Sequence, residues 1–161
     1  PPITAPNAET LILGSMPGQA SLTAHQYYAH PRNAFWPIMA ELIGFDSAAP
    51  YAERVKALQS AKIAVWDVLL TCTRPGSLDS DIDPDSLIAN DLAGFLRQHP
   101  AIKRVFFNGA KAESCFHKHI APSIPADLFV CQRLPSTSPA HASLSLEQKL
   151  TAWRIILTEG H

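Results

Sequence analysis

The sequence Thr10-Leu11-Ile12-Leu13-Gly14 decides the fold, because it is a short apolar run that stops at a glycine. A buried strand of a parallel sheet has this pattern when it leads into a functional loop. Three further apolar runs occupy residues 61–70, 104–108 and 128–134. The chain therefore holds four candidate strands of one small sheet.

Segments with helical spacing separate or follow these runs. Asp83 and Pro84 predict an N-cap and a first helical residue, and the apolar face of that helix consists of Leu87, Ile88, Leu92, Phe95 and Leu96. Ser145 and Gln148 predict a capping box for a last helix with the apolar stripe Leu146, Leu150, Trp153 and Leu157. Because strands and helices alternate, we predict a three-layer α/β/α sandwich around a small, mainly parallel central sheet, with residues 1–161 in a single domain.

Composition limits the classes of partner and cofactor. The 161 residues are 47% hydrophobic, enough for one buried core, and their net charge of −1 requires any contact with nucleic acid to be local. No apolar run approaches the roughly 20 residues of a membrane span, and no export signal is visible, so we expect a soluble, cytoplasmic protein without a membrane partner. The cysteines at 72, 115 and 131 are too scattered for a zinc site, a cluster or a disulfide framework, and we expect no metal and no cofactor.

Ligands of open parallel sheets bind at the carboxyl ends of the strands, so the segments after the strands are the candidate site. The first is Gly14-Ser15-Met16-Pro17-Gly18, whose backbone N–H groups can face an anion or a base carbonyl, although an ordinary turn has the same composition. Residues 27–36 then combine stacking rings with amide and cationic groups, which suits a flat ligand such as a nucleobase. In the structural alternative, Phe35 and Trp36 are core residues of a helix that runs to Ile43 and stops at Gly44, and Asn33 is its N-cap.

Further candidates follow the other strands. Asp67 and Asn108 interrupt or end apolar runs, so each is either paired within the structure or directed at a ligand. Residues 136–143 are small and rich in hydroxyls, which suits a phosphate-binding loop and equally an ordinary capping loop. The residues assigned to DNA contact are Arg32, Arg74, Lys111, Ser136, Ser138, Pro139, Ala140, His141 and Ser143.

Two other patterns carry no site in this interpretation. Acidic residues alternate at 79, 81, 83 and 85, but Pro84 and Asn90 stand where a calcium-binding EF-hand needs Gly and Glu, so we interpret the segment as a solvated loop. A hydrolytic triad of Ser15, His30 and Asp67 lacks the GxSxG sequence that would present the serine.

Four motifs together carry a resemblance to a known family: GSMPG at 14–18, YYAHPRNAFWP at 27–37, FFNGAKA at 106–112 and RLPSTSPAHA at 133–142. This set resembles the uracil-DNA glycosylase superfamily, and most closely its hypoxanthine-DNA (deoxyinosine) glycosylase branch. The resemblance covers the chain from about Thr10 to Leu157. It implies an enzyme of base excision repair that flips a deaminated base, hypoxanthine or uracil, out of DNA and hydrolyses its N-glycosidic bond to leave an abasic site.

The resemblance also implies roles for single residues. Relatives carry a catalytic Asn or Asp at the third position of the first motif, where this chain has Met16, which cannot activate water. The deoxyinosine branch implies that Asn33 positions the water and that Tyr28 stacks on the base. Asp67 aligns loosely with the Asn that reads uracil in other branches, and its carboxylate would accept a hydrogen bond from a base N–H. Ser138 replaces the His or Asn that stabilises the leaving base elsewhere, and His141 is a possible substitute.

In the resulting hypothesis, the backbone of residues 14–18 binds the base carbonyl and residues 136–143 grip phosphates. We expect no lysine to be buried where it could form a Schiff base, hence a monofunctional enzyme, and we expect a monomer. Two alternatives stay open: a non-catalytic nucleotide- or DNA-binding module of the same fold, and a hydrolase of small nucleosides.

Overall fold

The first apolar run forms β1 (Thr10–Gly14), a fully buried strand inside a four-stranded parallel sheet, in a computed structural model of the chain. The structure describes residues 2–16, 19–71, 88–124, 129–139 and 144–157. β1 lies between β2 (Ile63–Asp67) and β5 (Arg104–Asn108), and β6 (Val130–Leu134) pairs with β5, which gives the order β2-β1-β5-β6. The central strands are apolar because helices cover both faces of the sheet.

The described residues contain the α-helices α1 (Gln19–Ala24), α2 (Phe35–Ile43), α3 (Tyr51–Ser60), α4 (Leu92–Gln98), α5 (Ala110–His119) and α6 (Leu146–Trp153). Of these, α4 and α5 pack on one face of the sheet, and α2, α3 and α6 pack on the other. Leu11 and Leu13 of β1 share a buried cluster with residues of α4 and α5. Ile12 belongs to a second cluster with residues of α2, α3 and α6. Alternate β1 side chains therefore point into two cores, which confirms the predicted three-layer sandwich.

The predicted strand at 61–70 is wrong in its extent. β2 ends at Asp67, and Leu69 begins β3 (Leu69–Thr71), which pairs antiparallel with β4 (Ile88–Ala89) in a separate sheet. The reason is a change of partner: Val68 N donates to Gly14 O at 2.9 Å, and Leu69 N donates to Ser15 O at 2.8 Å. The chain thus leaves the parallel sheet after Asp67 and follows the first loop. This change of hydrogen-bond partner cannot be predicted from a run of apolar residues.

The helix expected after Asp83 begins later. Ile88 lies in β4, and Asp91 is the N-cap of α4, with its carboxylate accepting from Gly94 N at 3.0 Å. Asp83, Pro84 and Leu87 lie outside the described residues. The expected apolar residues at 92, 95 and 96 are buried.

The last helix has the predicted capping box but a different buried face. Ser145 and Gln148 bond each other's backbone N–H groups as expected. Leu146 and Leu157, by contrast, are 54% and 49% exposed, so the predicted stripe is wrong at both ends. Trp153 is fully buried and its indole donates to Pro135 O at 2.9 Å, and this anchor sets which face of α6 turns inward.

A clamp at the end of β5 joins three loops. Asn108 Oδ1 accepts from Thr137 N at 2.9 Å, and Asn108 Nδ2 donates to Thr137 Oγ1 at 3.0 Å. Thr137 O in turn accepts from Ala34 N at 2.9 Å. Beside this clamp, Gly109 has φ +96° and a Cβ there would lie 3.1 Å from Ser136 Cβ, so both backbone and space favour glycine. The clamp fixes the segments before α2, after β5 and after β6 relative to each other.

We expect Asn108→Leu to destabilise the protein by about 1–3 kcal/mol, because it leaves the buried Thr137 N–H without an acceptor. Thr137→Val is the matched control, since it removes only the Oγ1 bond and should cost about 1 kcal/mol. Urea unfolding of the three proteins measures both losses. Equal losses for the two variants would show that the bond to Thr137 N–H is not the important one.

Candidate active site

Three polar or small residues end the strands in one row. Gly14 pairs with Asp67 in the β1–β2 register, and Leu13 pairs with Phe107, which places Asn108 next to Gly14. Gly14 lies two residues after Ile12 and therefore on the same face of the sheet. The three strand-end residues thus lie on the face that α2 and α6 cover. The structure thus brings the strand-end candidates together at the carboxyl edge, as the sequence predicts.

The backbone of Gly14 is approached closely by two oxygen atoms. A Cβ at this position would lie 2.5 Å from Asp67 Oδ1 and 3.1 Å from the Tyr28 hydroxyl oxygen. A side chain would therefore displace the carboxylate. Asp67 is 6% exposed, so its carboxylate is held away from bulk water at the strand end.

Tyr28 has unusual backbone and side-chain environments. Its φ of 54° lies in the left-handed region, and its ring stacks on Phe35 with centroids 4.1 Å apart. The hydroxyl oxygen is buried and lies within hydrogen-bonding distance of no partner among the described residues. Burial first, and then the charge of Asp67, raise the pKa of Tyr28 far above its ordinary value, whereas the neighbouring Asn108 side chain acts in the opposite direction. The group therefore stays protonated and can donate a hydrogen bond.

Tyr27 lies beside this group and has a structural role as well. Its backbone carbonyl accepts from Trp36 Nε1 at 2.8 Å, and its backbone N donates to the Tyr51 hydroxyl at 3.1 Å. Burial, followed by the charge of Asp67, raises the pKa of Tyr27 as well. Both tyrosines thus remain neutral next to the Asp67 carboxylate.

Asn33 is half-buried at the start of α2. Its Oδ1 accepts from Phe35 N at 2.9 Å, and its backbone N donates to His30 O at 3.0 Å. The N-cap itself is Ala34, so the N-cap expectation for Asn33 is wrong by one residue, although the amide oxygen does bond the first helical N–H. The second lone pair of that oxygen and the amide NH₂ group can still take part in hydrogen bonds. The helix ends at Gly44 in the left-handed conformation, as predicted.

The side chains of the second loop separate into core and site. Phe35 and Trp36 are buried, as expected for core residues of α2.

Met16, at the third position of the first motif, is partly buried and packs against the apolar cluster of α4 and α5. Pro17 and Gly18 lie outside the described residues. The position at which the resemblance implies a catalytic group is thus used for packing in this chain.

The residues predicted to contact DNA are less closely grouped than the residues at the strand ends. Arg32 is exposed, and Lys111 is half-buried in the first turn of α5. Ser136 Oγ accepts from Ser138 N at 3.1 Å, which is a local turn, and Pro139 is exposed beyond it. Four assigned residues lie outside the described part of the chain: Arg74, Ala140, His141 and Ser143.

Sequence reasoning missed Lys149. Lys149 is 6% exposed, and its Nζ donates to Ser138 O at 3.5 Å. Burial lowers the pKa of this lysine. A signal did exist, since Lys149 precedes the buried Trp153 by four residues and so shares its helix face.

Within the described ranges, no three or more His, Cys, Asp or Glu side chains are grouped so as to hold a metal ion. Nor does that part of the chain contain a helix of the length and apolarity needed to span a membrane.

Comparisons with known proteins agree with this geometry. A sequence model of the uracil DNA glycosylase superfamily matches residues 1–157. A hypoxanthine DNA glycosylase of Methanosarcina barkeri is 40% identical over 113 residues, which are 70% of this chain and 70% of that protein. A second hypoxanthine DNA glycosylase, of Methanosarcina acetivorans, is 31% identical over 157 residues, covering 97% of this chain and 94% of that protein.

A solved structure is similar along nearly the whole chain. It was determined by solution NMR for a Methanosarcina acetivorans protein described as a candidate uracil DNA glycosylase. The TM-score is 0.78 at 30% sequence identity, with 98% of this chain and 96% of that chain covered. Because the family match spans almost all residues and the fold agrees, this chain belongs to the uracil DNA glycosylase superfamily.

Proposed function

We propose that the protein is a monofunctional DNA N-glycosylase that hydrolyses the bond between deoxyribose and a deaminated base, with hypoxanthine as the principal substrate. The observation that carries this proposal is the convergence of the Asp67 carboxylate and the Tyr28 hydroxyl over Gly14. The two relatives named hypoxanthine DNA glycosylase support the choice of base. The base would be flipped from the helix, which costs a few kcal/mol and less at a damaged pair.

The donor and acceptor at Gly14 fit the edge of hypoxanthine. That base offers an N1–H donor next to an O6 acceptor, while adenine offers an N1 acceptor next to an amino donor. A carboxylate only accepts, and a neutral tyrosine can donate, so Asp67 would bind N1–H and Tyr28 would bind O6. A buried hydroxyl without a protein partner calls for such an explanation. Uracil has the same donor and acceptor order and is the second candidate base.

Asn33 would orient the attacking water. An amide cannot remove a proton, so its contribution is to hold the water by the free lone pair of Oδ1 while the sugar develops positive charge. The bond from Phe35 N–H fixes the direction of that oxygen. Backbone N–H groups of the first loop, to which Pro17 contributes none, would stabilise the departing base, and such preorganised dipoles supply much of the rate in enzymes.

The primary experiment uses labelled duplexes with a single deoxyinosine, uracil or adenine, followed by alkali to cleave abasic sites. We expect alkali-dependent strand breaks with deoxyinosine and none with adenine. A non-catalytic binding module would shift the duplex in a gel without breaks. A nucleoside hydrolase would release hypoxanthine from free inosine. Borohydride should trap no covalent adduct, because a hydrolytic mechanism forms no Schiff base with Lys149.

Asn33→Ala should separate the two roles of this residue. Loss of the acceptor for Phe35 N–H should cost about 1 kcal/mol of stability, and loss of water positioning should slow single-turnover excision at least about 100-fold at saturating DNA. Asn33→Asp keeps the acceptor and should melt near the wild type. Thermal melts and single-turnover rates test both expectations. A variant that melts lower but excises at the wild-type rate would assign Asn33 to structure alone.

Asp67→Asn should reduce discrimination between hypoxanthine and adenine by about 10- to 100-fold, the worth of a hydrogen bond to a charged group, because an amide can present either an acceptor or a donor. The measurement is the ratio of single-turnover rates on the two duplexes. Tyr28→Phe is the companion variant: it keeps the ring that stacks on Phe35 and removes the donor. If Tyr28 only stacks on the base, the Phe variant will excise hypoxanthine at the wild-type rate, which contradicts the donor role.

A further inference from the structure

Lys149 is a buried cation with few binding partners among the described residues. Its side chain is 6% exposed, and its one hydrogen bond within the described part of the chain is a long one, 3.5 Å to Ser138 O. An ammonium group has three donors, so this bond leaves most of its capacity unused. It forms no ion pair with any of the described acidic residues.

Burial of such a charge lowers the stability of the folded protein, so folding alone does not explain the arrangement. A buried charge is normally paired, since removing it from water costs several kcal/mol, and here burial already lowers the pKa of the lysine. A methylene chain of similar length, such as that of methionine, would fill the same space at lower cost. The position therefore calls for an anion that is absent from the free protein.

The location of Lys149 indicates which anion. The carbonyl that it contacts belongs to Ser138, directly after Thr137. Thr137 is clamped to Asn108 and accepts from Ala34 N, the residue after Asn33. The ammonium thus lies against the loop that is bonded to the proposed catalytic segment, at the edge where a flipped nucleotide would enter.

We propose that Lys149 binds a DNA phosphate next to the flipped nucleotide, exchanging its long bond to the Ser138 carbonyl for a phosphate oxygen. This inference rests on the proposed function only in assuming that DNA is the ligand. It also accounts for DNA binding by a chain with a net charge of −1, because a partly desolvated ammonium interacts with a phosphate more strongly than an exposed one does.

The test measures binding rather than catalysis. The probe is a duplex with a tetrahydrofuran abasic-site analogue, which cannot be hydrolysed, titrated from low to moderate salt. We expect Lys149→Met to weaken binding about tenfold at low salt and to lower the slope of log K against log salt by about 0.9, the value for one phosphate. Lys149→Arg should keep the slope. The Met variant should melt at or above the wild-type temperature, because an unpaired buried charge has been removed.

Two further variants make the outcome decisive. Lys103→Met removes the same charge from an exposed residue just before β5, at the opposite edge of the sheet, and should leave the slope unchanged. Lys149→Gln keeps a donor for the Ser138 carbonyl without the charge, so it should lose the same slope as the Met variant, and it gives the answer if the Met variant does not fold. A slope unchanged in both neutral variants, or a Met variant that melts lower with normal salt dependence, would show that Lys149 only holds the loop.

The two proposals fail in different ways. If the wild type excises hypoxanthine but the neutral variants keep the wild-type slope, the phosphate site is wrong and the glycosylase stands. If the wild type binds the duplex with a slope that depends on Lys149 but releases no base, the glycosylase is wrong and the phosphate site stands. Absence of wild-type binding to the duplex overturns the phosphate site, whatever the excision assay shows.

Discussion

The two hydrogen bonds between the Asn108 side chain and Thr137 are the constraint on which the candidate site depends. A parallel sheet fixes the ends of its strands but not the loops beyond them. Here one amide at the end of β5 holds the loop after β6, and the carbonyl of the same threonine holds the residue before α2. Because Thr137 is almost completely buried, these bonds are shielded from competing water and keep their full strength. The segments proposed to carry catalysis and DNA contact are far apart in sequence and thereby share one support.

A second constraint is the negative charge of the Asp67 carboxylate within the candidate site. The carboxylate of Asp67 sits where the absence of a side chain at Gly14 allows close approach, and the neighbouring tyrosines remain neutral because burial and that charge together raise their pKa values. A site with one fixed acceptor and nearby neutral donors is selective for a base edge that alternates donor and acceptor. In the proposed function it would penalise adenine through repulsion between the carboxylate and the N1 lone pair, which is a larger effect than the loss of one neutral hydrogen bond.

Much of this arrangement could be predicted from the sequence, and the failures have identifiable causes. The apolar runs that end in Gly14 and Asn108 predicted β1 and β5 correctly. A strand that is buried on both faces of a sheet consists mostly of apolar residues, so it is easy to recognise. The prediction of one strand at 61–70 was wrong because Leu69 is as apolar as Val65. The backbone N–H of Leu69, however, bonds the first loop and not the parallel sheet. Lys149 was missed because periodicity assigns a charged residue to the solvent face, whereas the anchoring of Trp153 rotates the helix and carries the lysine inward. Long-range hydrogen bonds decided both cases, and the sequence indicates only one of their consequences, the four-residue spacing between Lys149 and Trp153.

The role proposed for Asn33, instead of a residue of the first loop, has a physical basis in helix geometry. In this chain the third position of the first motif is occupied by Met16, which packs against the core, so the proposed water-orienting group lies on another rigid element. The start of α2 is such an element, because Phe35 is buried and its N–H points at the Asn33 oxygen with a fixed direction. An amide held in this way loses little conformational entropy when it binds water, and it carries no charge that would repel a phosphate. A carboxylate at the same place would add a negative charge that repels the DNA backbone. A neutral amide at a helix start is therefore the arrangement compatible with a site that already contains one buried anion.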